Sequence, residues 1–188
     1  MIEMIAAVSL NGSIGKNGKL PWHIPDELDL FKTVTMGKTV VMGRKTWDSL
    51  QRRPLPGRLN VVISRTHVPS HVGEDDGVVF VDSLPAALEF CRDEHDAVII
   101  GGEQVYRRFL PFVDVLHLSR IKLNIKDPDA FFPEVNWAEW ECVGHADRGE
   151  YTYNAYLRKD SSATKESWLS VLAKIKEKFG DDMLDEPA

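Results

Sequence analysis

The chain has 188 residues, the length of one globular domain with room for an appendage. It is 43% hydrophobic and 28% charged, its first residues do not resemble a secretory signal, and no run approaches the ~20 apolar residues of a membrane helix. The net charge of −6 argues against a nucleic-acid-binding surface. The two widely spaced cysteines argue against a disulfide scaffold and a cysteine zinc site. We therefore expect a cytoplasmic protein that binds neither nucleic acid nor membrane.

Short apolar runs alternate with helical patterns along the first 158 residues. Predicted strands are Ile2–Val8, Thr39–Met42, Asn60–Ser64, Val78–Val81, Ala97–Ile100, Val115–Ile121 and two more within Trp140–Ala146 and Thr152–Leu157. Predicted helices are Asp26–Thr35, Lys45–Leu50, Leu84–Arg92 and Glu103–Leu110. This alternation indicates an α/β domain with a mainly parallel sheet. No helical pattern separates the last two strands, so an antiparallel pair is expected at the edge.

A glycine-rich loop follows the first strand. Gly12, Gly15 and Gly18 lie between Ser9 and Leu20, and such loops often close over ligands. An ordinary mobile surface loop is the alternative.

The first helix carries two adjacent acids, and its periodicity distinguishes them. Its apolar residues are Ile24, Leu28, Phe31 and Val34. At about 100° per residue, Glu27 falls within their arc, whereas Asp26 joins Asp29 on the outer face or caps the helix. A carboxylate among apolar side chains raises its pKa or finds a specific partner, as happens at functional sites. A surface acid near a helix start is the alternative for Glu27.

Three segments at strand ends are suited to an anionic ligand. They are Gly43-Arg44-Lys45-Thr46, Ser64-Arg65 and Gly101-Gly102-Glu103-Gln104-Val105-Tyr106. Glycines allow close backbone approach, helix starts present N–H groups, and the basic side chains add charge. Each segment alone is weak evidence, since a glycine pair after a strand is often structural. Together, at the carboxyl ends of parallel strands, they favour a phosphate-bearing cofactor.

Other site classes have little support. Pro56-Gly57-Arg58 forms a turn whose arginine is either a clamp for a substrate carboxylate or a solvated side chain. The six histidines show no metal-ligand spacing, so no metal site is expected. Neither a nucleophile elbow nor a phosphate loop of the nucleotide triphosphatases occurs.

Residues 160–188 are expected to be a C-terminal extension to a domain spanning residues 1–159. A polar boundary at residues 160–164 precedes Trp168, Leu172, Ile175 and Phe179, which recur at helical spacing until Gly180. We expect this helix to pack on its own domain, with a subunit or partner contact as the alternative, and residues 181–188 to be frayed.

The motifs, in their order, resemble the dihydrofolate reductase family over residues 1–158. The segments that carry the resemblance are Ile5-Ala6-Ala7, Leu20-Pro21-Trp22, Pro25-x-Glu27-Leu28 with Phe31-Lys32, Met42-Gly43-Arg44-x-Thr46-Trp47, Leu55-Pro56-Gly57-Arg58 and Ile100-Gly101-Gly102-x-x-Val105-Tyr106. The resemblance implies an eight-stranded, mostly parallel sheet with an antiparallel C-terminal edge strand and four flanking helices. It also implies NADPH-dependent reduction of 7,8-dihydrofolate to 5,6,7,8-tetrahydrofolate, with hydride to C6 and a proton to N5, in support of one-carbon and thymidylate metabolism.

The resemblance also implies roles for individual residues. Catalytic roles fall to Glu27, Trp22, Leu20 and Tyr106. Substrate would contact Ile5, Glu27, Leu28, Phe31, Leu50, Leu55, Arg58, Ile100 and Ser119. NADPH would contact Ala7, Ile14, Gly15, Gly43, Arg44, Lys45, Thr46, Ser64, Arg65, Gly101, Gly102, Glu103, Gln104, Val105 and Tyr106. The basic residues would select NADPH over NADH through its 2′-phosphate. Asp129 would bond the glycine loop near Gly15.

The sequence departs from the family pattern at some positions and leaves rivals open. Glu27 stands where bacterial-type members generally have aspartate, and Leu20 where methionine is common. One rival is an NADPH-dependent pyrimidine reductase of the riboflavin pathway on the same fold. Another is a non-catalytic nucleotide-binding or interaction module. The resemblance further implies a small-molecule substrate and binding of antifolate inhibitors. We expect a monomer, with a dimer through the extension as the alternative.

Overall fold

A computed structural model describes residues 1–66, 76–92, 96–161 and 165–180. In these residues the strands are β1 (Ile2–Ser9), β2 (Ser13–Gly15), β3 (Thr39–Gly43), β4 (Leu59–Ile63), β5 (Val78–Val81), β6 (Ala97–Gly101), β7 (Val115–Ile121), β8 (Ala130–Phe131), β9 (Trp140–Asp147) and β10 (Tyr151–Arg158). The α-helices are α1 (Pro25–Thr35), α2 (Arg44–Ser49), α3 (Leu84–Arg92), α4 (Glu103–Phe109) and α5 (Lys165–Phe179).

Eight strands form the main sheet in the order β5-β4-β3-β6-β1-β7-β10-β9. Every neighbouring pair from β5 to β7 is parallel, whereas β10 is antiparallel to both β7 and β9. The predicted mostly parallel sheet with an antiparallel C-terminal edge is therefore confirmed. At that edge β9 is the outermost strand. The chain turns tightly after β9, and β10 then runs between β9 and β7.

The central strands are buried on both faces, as their continuous apolar runs predicted. Residues 39–42 of β3 and 97–101 of β6 are all buried. Side chains of one face pack under α1 and α5, and those of the other pack under α3 and α4. The four predicted flanking helices are confirmed, and the sheet's carboxyl edge remains open between them.

The glycine-rich segment after β1 is more ordered than a free loop. Its strand β2 pairs with β8 in a separate two-stranded sheet, with Ser13 opposite Phe131 and Gly15 opposite Ala130. The sequence pattern did not predict this pairing, because each strand is too short to show periodicity and its partner lies more than a hundred residues away.

The predicted C-terminal helix forms as α5 and packs on α1. Val171 and Ile175 are buried in the core beneath it, whereas Leu169 is 55% exposed. The helix ends at Gly180, whose φ of +89° is favourable only for glycine and whose N–H bonds Lys176 O at 2.8 Å. The predicted frayed segment, 181–188, lies outside the described residues. No helix in the described ranges is long and apolar enough to cross a membrane.

Candidate active site

A cleft of about 1190 Å³ opens at the carboxyl edge of the sheet, between β1, β3, β4 and β6. Pockets for one drug-sized ligand measure about 300 to 1,000 Å³, so this cleft has room for two ligands side by side. Its lining includes the predicted residues Ile5, Ala7, Ile14, Gly15, Leu20, Glu27, Leu28, Phe31, Gly43, Arg44, Lys45, Thr46, Leu50, Ser64, Arg65, Ile100, Gly102, Glu103, Gln104, Val105 and Tyr106.

Glu27 is the buried acid of the cleft, as its place in the apolar arc predicted. Its side chain is 5% exposed in the first turn of α1. Burial raises the pKa of Glu27 from 4.5 to about 7, because the ionised form loses water. The Ser119 hydroxyl partly opposes this rise, and the charge of Asp26 adds to it. A group with this pKa exchanges its proton near neutral pH, as general acid–base chemistry requires.

Within the described residues, two buried polar atoms lack a hydrogen bond of regular geometry, and the one on Ser119 lies close enough to act on Glu27. They are Trp22 Nε1 and Ser119 Oγ. Neither residue lines the cleft surface itself. Buried donors without partners are uncommon and costly, so each is suited to a ligand atom or a bound water. The structure thus offers hydrogen-bonding capacity beside Glu27 that the protein does not use internally.

Tyr106 is held rigidly in the cleft wall. Its hydroxyl donates a 2.8 Å hydrogen bond to Ile5 O and joins α4 to β1. Burial raises the pKa of Tyr106 above its usual range, and the nearby Glu27 charge raises it further. Tyr106 therefore stays neutral and orients the wall.

The predicted glycine pair lies at a crowded point of the cleft wall, where Gly102 reaches the cleft surface. Gly101 has φ +130°, and a Cβ there would lie 3.3 Å from the Thr46 hydroxyl and 3.4 Å from the Tyr106 hydroxyl. A Cβ on Gly102 would lie 3.2 Å from the same Thr46 atom. Glycine therefore leaves the backbone beside Thr46 open to a close ligand.

Basic side chains mark the far end of the cleft. Arg44 forms an ion pair with Asp48 at 3.1 Å and lies 5.9 Å from the centre of the Phe80 ring, while Lys45 and Arg65 are exposed. Ser64 is buried beside them, its hydroxyl 3.1 Å from that of Thr66. This end has positive side chains and hydroxyl groups, a combination that binds phosphate.

Five predicted site residues do not line the cleft surface: Trp22, Leu55, Arg58, Gly101 and Ser119. Arg58 is buried, and its guanidinium bonds Thr35 Oγ1 and Pro56 O, each at 3.0 Å. Burial lowers the pKa of Arg58, and no carboxylate of the described residues pairs with it. A buried guanidinium without a counter-ion is suited to an anionic ligand that reaches it from the cleft.

The lid, residues 9–20, is fastened at the open side of the cleft. Asn17 N donates to Asp129 Oδ2 at 2.8 Å, two residues beyond the predicted contact near Gly15. Phe131 N, in β8, donates to Glu103 Oε2 at 3.1 Å. The segment around β8, which pairs with the lid, is therefore joined to α4. Residues of α4 line the cleft.

Sequence reasoning missed the partner of Asp26. Its carboxylate neither caps α1 nor lies free on the surface, because it accepts hydrogen bonds from Arg148 and from the Tyr151 hydroxyl. These bonds lower its pKa, chiefly through Arg148. No local pattern marks this contact, since Arg148 lies in the distant β9–β10 turn.

Sequence reasoning also missed a charged cluster beneath the cleft. Glu3 is fully buried, pairs with Lys38, and accepts a 2.9 Å hydrogen bond from His117. His117 also contacts the Tyr153 hydroxyl at 2.7 Å. An acid inside the apolar run of β1 was the available sign of this cluster. Across the described ranges, no group of three or more His, Cys, Asp or Glu side chains could hold a metal ion.

Comparison with known proteins agrees with the resemblance found in the motifs. Residues 1–159 match the family model described as Dihydrofolate reductase. A dihydrofolate reductase from Haemophilus influenzae is 44% identical over 139 residues, which cover 74% of this chain and 82% of the relative. One from Neisseria gonorrhoeae is 40% identical over 164 residues, which cover 84% of this chain and 98% of the relative.

Solved structures give the same result. A dihydrofolate reductase from Enterococcus faecalis, complexed with NADP(H) and RAB-propyl, matches with a TM-score of 0.74 and 34% sequence identity. The match covers 85% of this chain and 97% of that structure.

Proposed function

The chain belongs to the dihydrofolate reductase family, and we infer that it catalyses the NADPH-dependent reduction of 7,8-dihydrofolate to 5,6,7,8-tetrahydrofolate. The observation that carries this function is the buried Glu27 carboxyl in a cleft of about 1190 Å³ whose other end is basic. The activity makes the protein an oxidoreductase that supplies reduced folate for one-carbon and thymidylate metabolism.

The residues at the basic end fit NADPH. A side chain on Gly101 or Gly102 would crowd the Thr46 hydroxyl, and because glycine carries none, a ligand can approach the backbone closely there. Arg44 and Arg65 line this end of the cleft and would supply the positive charge that a 2′-phosphate needs. Bound NADPH supplies the hydride that the protein itself cannot provide. The chain's own task at this end is to hold the cofactor and to exclude water with the lid.

The other end fits the heterocycle of the substrate. Its walls are apolar, and they are formed by Ile5, Leu28, Phe31, Leu50 and Ile100. Within these walls the Glu27 carboxyl would bond the amidine edge of the ring. Arg58, which has no internal counter-ion, would hold a carboxylate of the glutamyl tail, and Leu55 would add apolar contact beside it.

Proton supply is the chemical role that the chain itself performs. Because the pKa of Glu27 is about 7, a large share of these side chains carries a proton at neutral pH. The Trp22 indole and the Ser119 hydroxyl, both without regular partners, would position a water that passes the proton to N5. Tyr106, fixed on Ile5 O, and Leu20 of the lid would keep bulk water out.

The test is the loss of NADPH absorbance on addition of 7,8-dihydrofolate to the purified protein, with tetrahydrofolate identified as the product. Turnover with dihydrofolate and none with a phosphorylated ribosyl pyrimidine would support the proposal. The reverse preference would indicate the pyrimidine reductase of the riboflavin pathway. Binding of NADPH without turnover of either substrate would indicate a non-catalytic module.

We also propose the finer properties that accompany this activity. Antifolate inhibitors would bind in the substrate end of the cleft, against the Glu27 carboxyl. We expect a cytoplasmic protein. We also expect a monomer, with the apolar face of α5 used on α1 of its own chain.

A further inference from the structure

Asp26 is held in a three-membered clamp at the start of the active-site helix. Arg148 donates to it twice, from Nε to Oδ2 at 3.0 Å and from Nη2 to Oδ1 at 2.8 Å, and the Tyr151 hydroxyl donates to Oδ2 at 2.7 Å. Both donors belong to the β9–β10 hairpin, Arg148 to its turn and Tyr151 to the start of β10. The clamp therefore ties the first turn of α1 to the far edge of the sheet, one residue before Glu27.

The C-terminal helix covers this clamp. The ring of Phe179, the last residue of α5, lies 5.6 Å from Arg148 Cζ. Val171 and Ile175 of the same helix are buried in the core that contains Ile24 of the α1 start. The helix thus contacts both partners of the clamp, the hairpin through Phe179 and α1 through its apolar face.

We propose that α5 is a positioning element for the reductive site: Phe179 holds Arg148 on Asp26 and so fixes the turn of α1 that presents Glu27. Phe179, Arg148 and Asp26 are positioning residues, since none of them lines the cleft. The inference rests on the proposed function and adds to it a segment outside residues 1–159, the part that matches the family model.

The exposure of the clamp explains why it needs a cover. The side chains of Arg148 and Asp26 are 28% and 39% exposed, and ion pairs open to water contribute little by themselves. An aromatic face against the guanidinium limits its rotation and removes water from one side. Without the ring, Arg148 has freedom to leave Asp26, and the first turn of α1 loses its tie to the hairpin.

The clamp also acts on the charge of Glu27. The groups that face Glu27 are Asp26 on its own helix, Ser119 on β7, Tyr106 on α4 and Tyr151 on β10. Of these groups Asp26 carries a charge, and its negative charge disfavours ionisation of Glu27. The positive charge of Arg148, paired with Asp26, reduces this effect. Loss of the pair therefore favours the protonated form of Glu27, whereas loss of the Asp26 charge favours the ionised form.

The test compares substitutions of Phe179 in the full-length protein. We expect Phe179→Ala and Phe179→Leu to raise the KM for dihydrofolate by about threefold to tenfold, while the KM for NADPH stays within about twofold. Phe179→Tyr, which keeps the ring, should behave as the unmodified protein. Leu169→Ala, at an exposed position of the same helix, is the matched control and should change neither constant.

A titration that does not depend on activity completes the test. The pKa of Glu27 is followed by carbon NMR in the ligand-free protein, and Glu27→Gln identifies its signal. The pKa of Glu27 should rise in Phe179→Leu and in Arg148→Met and fall in Asp26→Asn. In a protein that already carries Asp26→Asn, adding Phe179→Leu should leave the pKa of Glu27 unchanged.

The results distinguish a failure of the positioning role of α5 from a failure of the proposed reductase function. If Phe179→Leu lowers the melting temperature but leaves both the KM for dihydrofolate and the Glu27 titration unchanged, α5 is merely structural and the inference is wrong. If the unmodified protein does not reduce dihydrofolate, the proposed function fails, whatever the titration shows.

Discussion

Two adjacent carboxyl groups on one helix turn have opposite properties because of what surrounds them. Glu27 points into the cleft, loses water and has a pKa of about 7, while Asp26 meets a guanidinium and a phenol that keep its pKa below the usual range. A helix places successive residues about 100° apart, so neighbours in sequence face different elements. The opposite pKa shifts of Asp26 and Glu27 follow from that rotation.

Replacing Glu27 by Gln should abolish most turnover while leaving NADPH binding intact. Glutamine is similar in shape but supplies no proton, and general acid–base groups contribute about a hundredfold to ten-thousandfold in rate. We expect partial recovery as the pH is lowered, because protons from solvent then replace the missing donor. Steady-state rates between pH 5 and 9, with fluorescence titration of NADPH as the control, measure both effects. Full activity at neutral pH would remove Glu27 from the mechanism.

The same substitution should change the pH dependence of stability. Because folding raises the pKa of Glu27 from 4.5 to about 7, its protonated form stabilises the native state below 4.5, and this stabilisation is lost as the pH rises through 7. Relative to Glu27→Gln, the unmodified protein should lose up to about 3 kcal/mol in its free energy of unfolding across that window. Urea denaturation of both proteins at pH 5 and pH 8 checks the difference.

Arg44 tests the basis of cofactor choice. Arg44→Ala should raise the KM for NADPH by about tenfold and alter that for NADH little, because a phosphate dianion gains more from a cation than a hydroxyl does. Lys122→Ala, at an exposed position paired with Asp147, is the matched loss of one positive charge. Equal losses for both cofactors in Arg44→Ala would show that Arg44 does not read the 2′-phosphate.

At the scale of elements, the lid depends on a segment far along the chain. Within the part of the chain that the structure describes, strand β2 pairs with β8 alone, and Asp129 adds one charged hydrogen bond to the Asn17 amide. Short strands of this kind are marginal alone, so each cross-link affects how long the lid stays closed. Lid closure is therefore a property of two loops together.

Asp129→Ala should loosen the lid. We expect the KM for NADPH to rise and the turnover number to fall, each by about threefold to tenfold, because one charge-assisted hydrogen bond is lost. The control is Asp127→Asn, a substitution two residues away at a position whose φ of +50° asparagine tolerates. Identical kinetics in Asp129→Ala and the control would mean that the Asn17 contact does not govern closure.

At the scale of the whole molecule, a buried ionic cluster joins four parts of the fold. Glu3 of β1 contacts Lys38 before β3 and His117 of β7, which in turn contacts Tyr153 of β10. Burial alone would raise the pKa of Glu3, but His117 and Lys38 together hold it below its usual value. The cluster thus fixes the relative positions of the strands under the cleft.

Glu3→Gln should destabilise the fold without changing the site. Lys38 would remain buried and uncompensated, which costs about 3 to 5 kcal/mol in the free energy of unfolding. Because the pKa of Glu3 is lowered in the folded protein, the difference from the unmodified protein should shrink as the pH falls below 4.5. Urea denaturation at several pH values measures it, and Glu141→Gln, at an exposed position of β9, is the control. A loss as small as in that control would show that the cluster adds no stability.

Much of the fold was predictable because its cause is local. Continuous apolar runs marked β3 and β6, helical spacing marked α1 and α5, and rotation around α1 selected Glu27 over Asp26. Glycine before a helix start marked Gly43 and Gly102 at the cleft. The spacing of apolar residues along a strand or helix indicates which of its faces is buried, so this spacing can be read from the segment's own sequence.

The sequence by itself therefore determined the eight strands of the main sheet, the α-helices, the order of the functional motifs, the family and the buried acid. Only the tertiary structure decided that Asp26 meets Arg148, 122 residues away, that the lid pairs with β8, that Phe179 covers the clamp, and that Arg58 does not line the cleft surface. The physical reason is that periodicity shows which face of an element turns inward. Which distant side chain meets that face depends on the order in which the strands assemble.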